Sequence, residues 1–180
     1  MDAETAALLR EMKDRHDIYD CIMRYCRGID RLDRAMLLSA YHPGAIDDHG
    51  TFVGTVEDFA DHVFDLHRTH QHRTQHHITN HRCEIDGDVA HCESYYIFRS
   101  LNKTPPLYTN ASGRYIDRLE RRGGRWAIAE RVCLVEIRNE HWAPTGFEGD
   151  GDYQAALRDP GDPSYRRPLT IDRAQFTHPS

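Results

Sequence analysis

HHITNHRCEIDGDVAHCESYYIFRSL, residues 76–101, is the stretch on which the fold turns. Ahead of it, apolar residues recur at helical spacing; within it the period shortens to two and an Asp-Gly pair interrupts the run. Alternation broken at Asp86 and Gly87 reads as a β-hairpin with a two-residue turn. The plan then repeats: LYTNASGRYIDRLERR (107–122), Gly123-Gly124, and RWAIAERVCLVEIRN (125–139) form a second hairpin. Four strands in a meander, preceded by helices, make an α+β fold.

Upstream, residues 4–28 carry Ile18, Ile22, Tyr25 and Ile29 on one helical face, widened by Tyr19, Met23 and Cys26, which predicts a long amphipathic helix. Gly28 weakens it near its end, and Asp33 is placed to cap a short second helix, RAMLLSAY, that stops before Pro43. HPGAIDDHGTFVG (42–54) reads as a loop holding at most a short strand. Thr55 opens a third helix, VEDFADHVFDLHRTH, with Val56, Phe59, Val63 and Leu66 on one face. Beyond residue 140, Pro, Gly and Asp accumulate, so one α+β domain over 1–140 and an irregular tail over 141–180 are expected.

Composition restricts the partners. A formal charge of −6 argues against a surface built to neutralise phosphates, so no nucleic acid is expected. No apolar run approaches the roughly 18 residues of a membrane span, and the N-terminus is charged throughout, so no membrane partner and a cytoplasmic address are expected. Five cysteines, at 21, 26, 83, 92 and 133, contain no C-x-x-C pair and read as small hydrophobes.

The titratable residues hold the chemistry. Asp30 lies four beyond Cys26 and seven beyond Met23, so its carboxylate extends the apolar stripe and needs a partner. A histidine suits it, because the carboxylate fixes one ring nitrogen and leaves the other to take a proton. The alternative is a capping role, for which Asp33 is better placed. His67, His70, His72, His76, His77 and His81 crowd the start of the first hairpin, yet their spacings match no metal pattern, and alternation sends His77 and His81 to the face opposite His76. Asp47, Asp48 and His49 form a second polar knot, read first as turn chemistry and second as a pocket mouth.

The order RYCRGIDRLD (24–33), QHH (75–77), the two hairpins and G-x-W (124–126) resembles the SnoaL-like branch of the nuclear transport factor 2-like superfamily over about residues 8–140. The resemblance implies a cone-shaped α+β barrel, with N-terminal helices packed on a curved, mostly antiparallel sheet that encloses an apolar pocket. It implies a cofactor-independent enzyme, because the dehydratases and dehydrochlorinases of this group use an aspartate near the end of the first helix to orient a histidine base. Asp30 and His76 stand at those places, and Tyr25 stands where bile acid 7α-dehydratase has a tyrosine. The second histidine of scytalone dehydratases falls at Asn110, a departure that removes a general acid. Dimers or trimers are common in the group, and a homo-oligomer is expected.

One catalytic histidine among solvated neighbours, with no metal, is therefore the reading of the cluster. Tyr41, Phe52, Phe59, Val63, Tyr95, Ile97 and Tyr108 are expected on the pocket wall, with Asn110, and Arg131 either enters the cavity near its base or makes an outward salt bridge. The function expected is a lyase or isomerase acting on a hydrophobic ring compound, with His76 as base, Asp30 holding it and Tyr25 meeting a substrate oxygen. A non-catalytic ligand-binding protein and a structural β-subunit of a ring-hydroxylating dioxygenase are the alternatives.

Overall fold

Asp2 begins the first helix by accepting the backbone N–H of Thr5 at 2.7 Å, and Leu32, in left-handed conformation at φ 54, ends it. The computed structural model describes residues 1–141 and 156–169. Among these the order is α1 (Ala3–Arg31), α2 (Arg34–Ser39), β1 (Tyr41–Asp48), β2 (Val53–Thr55), α3 (Val56–His70), β3 (Gln71–Asp86), β4 (Val89–Asn102), β5 (Tyr108–Arg122) and β6 (Arg125–His141). Asp33 caps α2 and Thr55 caps α3 through their side-chain oxygens, as the sequence suggested.

The strands form one sheet in the order β2-β1-β6-β5-β4-β3, antiparallel except where β1 runs parallel to β6. β1 and β3 stand far apart in that order, yet both touch α3, so the sheet curls around the helix. The α+β plan, with helices packed on a curved sheet, is as expected. The sheet nevertheless stays open, with β2 and β3 as its edges, and does not close into a barrel.

Two local differences from the sequence reading have plain causes. HPGAIDDHGTFVG contributes two strands instead of a loop, because Pro43 and Gly44 (φ 71) interrupt the ladder between Tyr41 and Ile46 and hide its alternation. The first hairpin turns at Gly87 and Asp88, one residue later than expected, with Gly87 at φ 59 and Asp86 still paired to Val89. In the second hairpin Gly123 and Gly124 both take positive φ, at 58 and 79, as a type I′ turn requires.

The core lies between α1, α2, α3 and the inner face, with Ile18, Leu37, Phe59, Leu119 and Trp126 all buried. Asp14 of α1 fixes the helix to the sheet: it accepts from the Trp126 indole N–H at 2.8 Å and from Arg121 at 2.8 and 2.9 Å. Gly28 does more than weaken α1. A Cβ there would lie 2.5 Å from the backbone nitrogen of Leu37, so the absent side chain lets α2 fold back against α1. Gly→Ala inside a helix ordinarily stabilises by about 0.5–1 kcal/mol. Here overpacking reverses the sign, and Gly28→Ala is expected to cost about 1–3 kcal/mol. Thermal unfolding checks this, and a variant as stable as wild type contradicts it.

Residues 156–169 hold a single 3-10 turn, Pro163–Tyr165, but they are not a loose surface strand. Arg158 donates to the carbonyl oxygens of Asp30 (3.2 Å), Gln71 (3.2 Å) and His67 (3.4 Å). The Tyr165 hydroxyl donates to Asp33 at 2.9 Å, and Arg27 lies 4.7 Å over its ring. The rest of the expected tail, 142–155 and 170–180, lies outside the described residues.

Candidate active site

A cavity of about 510 Å³ opens between α1, α3 and the inner face of the sheet. That is the size of a small-molecule pocket. Its apolar walls include Ile29 from α1, Phe52, Phe59 and Val63 from β2's approach and α3, and Tyr96, Phe98, Ala111 and Tyr115 from β4 and β5.

Asp30 is the penultimate residue of α1 and 7% exposed, carried inward on the stripe that holds Cys26 and Ile29. His76 arrives from β3. Its backbone N–H donates to Asp30 Oδ2 at 2.8 Å, and its Nδ1–H donates to Oδ1 at 2.7 Å. Both carboxylate oxygens are thus taken by one residue, and Nε2 of His76, on a ring packed 4.8 Å from that of Phe98, is free to accept a proton. Burial alone would raise the Asp30 pKa. Electrostatic attraction to the His76 ring and its hydrogen bonds, with help from Thr74, outweigh it, and the carboxyl is held below its ordinary value.

Tyr25 lines the cavity from α1. It is wholly buried, and its hydroxyl meets Nε2 of His49 at 3.2 Å. His49 in turn gives its Nδ1–H to Asp47, which also accepts the Tyr41 hydroxyl at 2.7 Å. The knot at Asp47 and His49 is therefore a second carboxylate–imidazole pair on the cavity wall, with His49 stacked 4.5 Å from Phe59. Its signal was in the sequence: residues i and i+2 at the end of a strand share a face. Tyr41 sits behind this pair instead of on the wall.

Other expected wall residues face elsewhere. Tyr95 and Ile97 are 39% and 36% exposed on the outer face, and their neighbours Tyr96 and Phe98 line the cavity. Thr109 and Ala111 line it from β5, which turns Tyr108 and Asn110 outward by alternation. Arg131 neither enters the cavity nor points out. It is buried beneath it, paired through two 2.7 Å hydrogen bonds with Asp117, and lies 4.1 and 4.2 Å from the ring centres of Tyr25 and Tyr115. Asp117 and the nearby tyrosines outweigh burial, which alone would lower the guanidinium pKa, and hold it well above its ordinary value.

The histidine cluster divides by burial. His70, His72 and His77 are exposed, while His67 closes the last turn of α3 inside the cavity. Burial, His76 and Arg158 lower its pKa to about 3, so it is a neutral ring that accepts from Arg158 at Nδ1, 3.2 Å away. His81 is not opposite His76. A register shift between Ile78 and His81 inserts an extra residue and returns His81 to the inner side, beside Cys83 and Cys92. The ligand atoms of these three lie within 4.8 Å of one another, a soft donor set one ligand short of a closed zinc site.

These features, a helix-borne aspartate locked to a histidine from the first long strand over an apolar cavity, coincide with a sequence match to the SnoaL-like domain over residues 10–132. The chain belongs to the SnoaL-like domain family. Solved structures agree on the fold of this SnoaL-like chain. A type 2 hexachlorocyclohexane dehydrochlorinase superposes with a TM-score of 0.70 at 20% identity, covering 77% of this chain and 99% of that one. The type 3 enzyme of Novosphingobium barchaimii gives 0.68 at 20%, covering 76% and 98%. A scytalone dehydratase-like protein of Novosphingobium aromaticivorans gives 0.65 at 17%, covering 79% and 98%. At such identities the likeness is one of fold. No curated protein matches the chain in sequence.

Proposed function

We propose that the protein is a lyase or isomerase that moves a proton at carbon on a hydrophobic ring compound, with His76 as general base and Asp30 as the residue that positions it. The observation that carries this reading is the double contact from Asp30 to the backbone and ring of His76, which leaves one imidazole nitrogen free in an apolar cavity. A general base placed so contributes about 10²- to 10⁴-fold. The cavity also favours an enzyme over a structural β-subunit, which needs none.

A panel of hydroxylated and halogenated ring compounds, followed by mass spectrometry, tests the proposal. Loss of water or hydrogen halide, or exchange at carbon in deuterium oxide, is expected above the background of His76→Ala. Tight binding of the same compounds without any conversion or exchange would make the protein a binding module instead.

A further inference from the structure

We propose that His49 is a second catalytic residue: a fixed imidazolium that presents a proton and a positive charge to a substrate oxygen, opposite the base His76. The substrate class follows, namely ring compounds whose reacting carbon carries a hydroxyl or is conjugated to a carbonyl. The proposal rests on reading the cavity as a site of proton transfer, and it supplies the general acid that position 110 lacks.

The geometry is built from four residues. Asp47 has no solvent exposure, and a carboxylate buried so deeply requires compensation. It receives two donors, the Tyr41 hydroxyl and the Nδ1–H of His49. The His49 ring is held flat against Phe59 and its side chain remains 21% exposed, whereas Tyr25 behind it has no exposure. Nε2 of His49 stands 3.2 Å from the Tyr25 hydroxyl, at the long end of the hydrogen-bond range, so an incoming oxygen can take over that proton.

The charge around the ring agrees. Facing or flanking it are Tyr25 from α1, Tyr41 and Asp47 from β1, His62 and His67 from α3, His76 from β3, Tyr115 from β5, and Cys133 and Arg131 from β6. Burial pushes the imidazolium toward losing its proton. The charge and hydrogen bond of Asp47, with a contribution from Cys133, prevail and raise the pKa to about 9. The folded value lies above the ordinary one near 6.5, so the protonated form persists through neutral pH and is lost as pH rises through about 9.

For a hydroxylated substrate the step balances without a further reactant. His76 Nε2 takes the proton from carbon, and the C–H electron pair becomes the new π bond. The C–O pair leaves with the hydroxyl, which takes the Nε2 proton of His49 and departs as water. The proton on His76 then returns to His49 through solvent. For a conjugated ketone the same donor stabilises the enolate oxygen.

4-Nitrophenol is the probe, because its absorbance reports which form is bound. At a pH below the phenol's own pKa, wild type is expected to bind it as the phenolate, with preference lost by about tenfold or more in His49→Gln. Asp47→Asn should weaken the preference, His76→Gln should leave it, and wild-type affinity for the phenolate should fall as pH passes about 9. Nitrogen NMR of the wild-type imidazoles supplies a readout without any variant: one ring should titrate near 9. A His49→Gln protein that folds and keeps the full phenolate preference would overturn the proposal, as would a wild-type protein in which no imidazole titrates above the ordinary range. Preference lost in His76→Gln alone would overturn it too, by placing the charge at His76. Loss of turnover in His76→Ala is read separately, so the base can fail while the His49 assignment stands, and the reverse.

Discussion

His76→Ala is expected to lower turnover by about 10²- to 10⁴-fold while ligand affinity changes little, and Asp30→Asn should do nearly as much. The second effect follows from the two contacts of Asp30. Its oxygens accept from both the backbone N–H and the Nδ1–H of His76. Asparagine has one such oxygen. If it keeps the backbone contact, its NH₂ faces Nδ1 and selects the tautomer with the proton on Nε2, where a base needs a lone pair. The cavity keeps its shape, so binding survives and proton abstraction does not. The double variant should cost little beyond the worse single one, since two groups that act as a unit are not additive. Initial rates and binding isotherms on a compound found by the screen provide the check. If both single variants retain the wild-type rate, the assignment of the pair is wrong, whatever the fold.

The largest effect on stability is expected at Arg131. Its guanidinium and Asp117 are both without side-chain exposure, joined by two hydrogen bonds and enclosed by tyrosine rings. Removing one partner leaves the other charge buried and uncompensated, which costs about 3–5 kcal/mol. For a chain of this length that corresponds to a fall of roughly 6–20 °C in Tm for Arg131→Met. The double variant Arg131→Met, Asp117→Leu should recover much of the loss, because apolar groups of similar volume often replace a buried pair at little cost. Thermal and urea unfolding of the single and the double variant decide it. A single variant that unfolds within about 1 °C of wild type would show that the pair is not the electrostatic centre of the core.

Where the chain repeats one period and marks its ends, the sequence was legible. α1 and α3 show helical spacing, Asp33 and Thr55 cap where caps were placed, and two glycine-bearing turns announce the hairpins. Side assignment within the sheet was harder. Tyr95, Tyr96, Ile97 and Phe98 are four apolar residues in a row, so composition does not say which alternate pair faces in. Bulges hid the rest. Counting back from the Gly123-Gly124 turn pairs Asp117 with Glu130, but a register shift between Arg118 and Leu119 sets it opposite Arg131 and creates the buried ion pair. The same device moved His81 across its strand. The Asp47–His49 knot was visible but read first as turn chemistry, because Pro43 and Gly44 concealed the strand that makes its spacing meaningful. The Asp30–His76 contact joins residues 46 apart, and the resemblance brought them together where periodicity could not.

Arg158 bears on how this protein can be cut and recombined. The family match ends at residue 132, yet this side chain ties together the end of α1, the end of α3 and the first residue of β3, elements that carry Asp30, His67 and His76 to the cavity. The boundary of the inherited domain and the boundary of the working unit are therefore different. A graft that carries residues 10–132 into another SnoaL-like scaffold would transplant Asp30 and His76 without the Arg158 contacts that join α1, α3 and β3. Modular exchange in this branch has to treat the segment around Arg158 as part of the site, although it lies beyond the last strand.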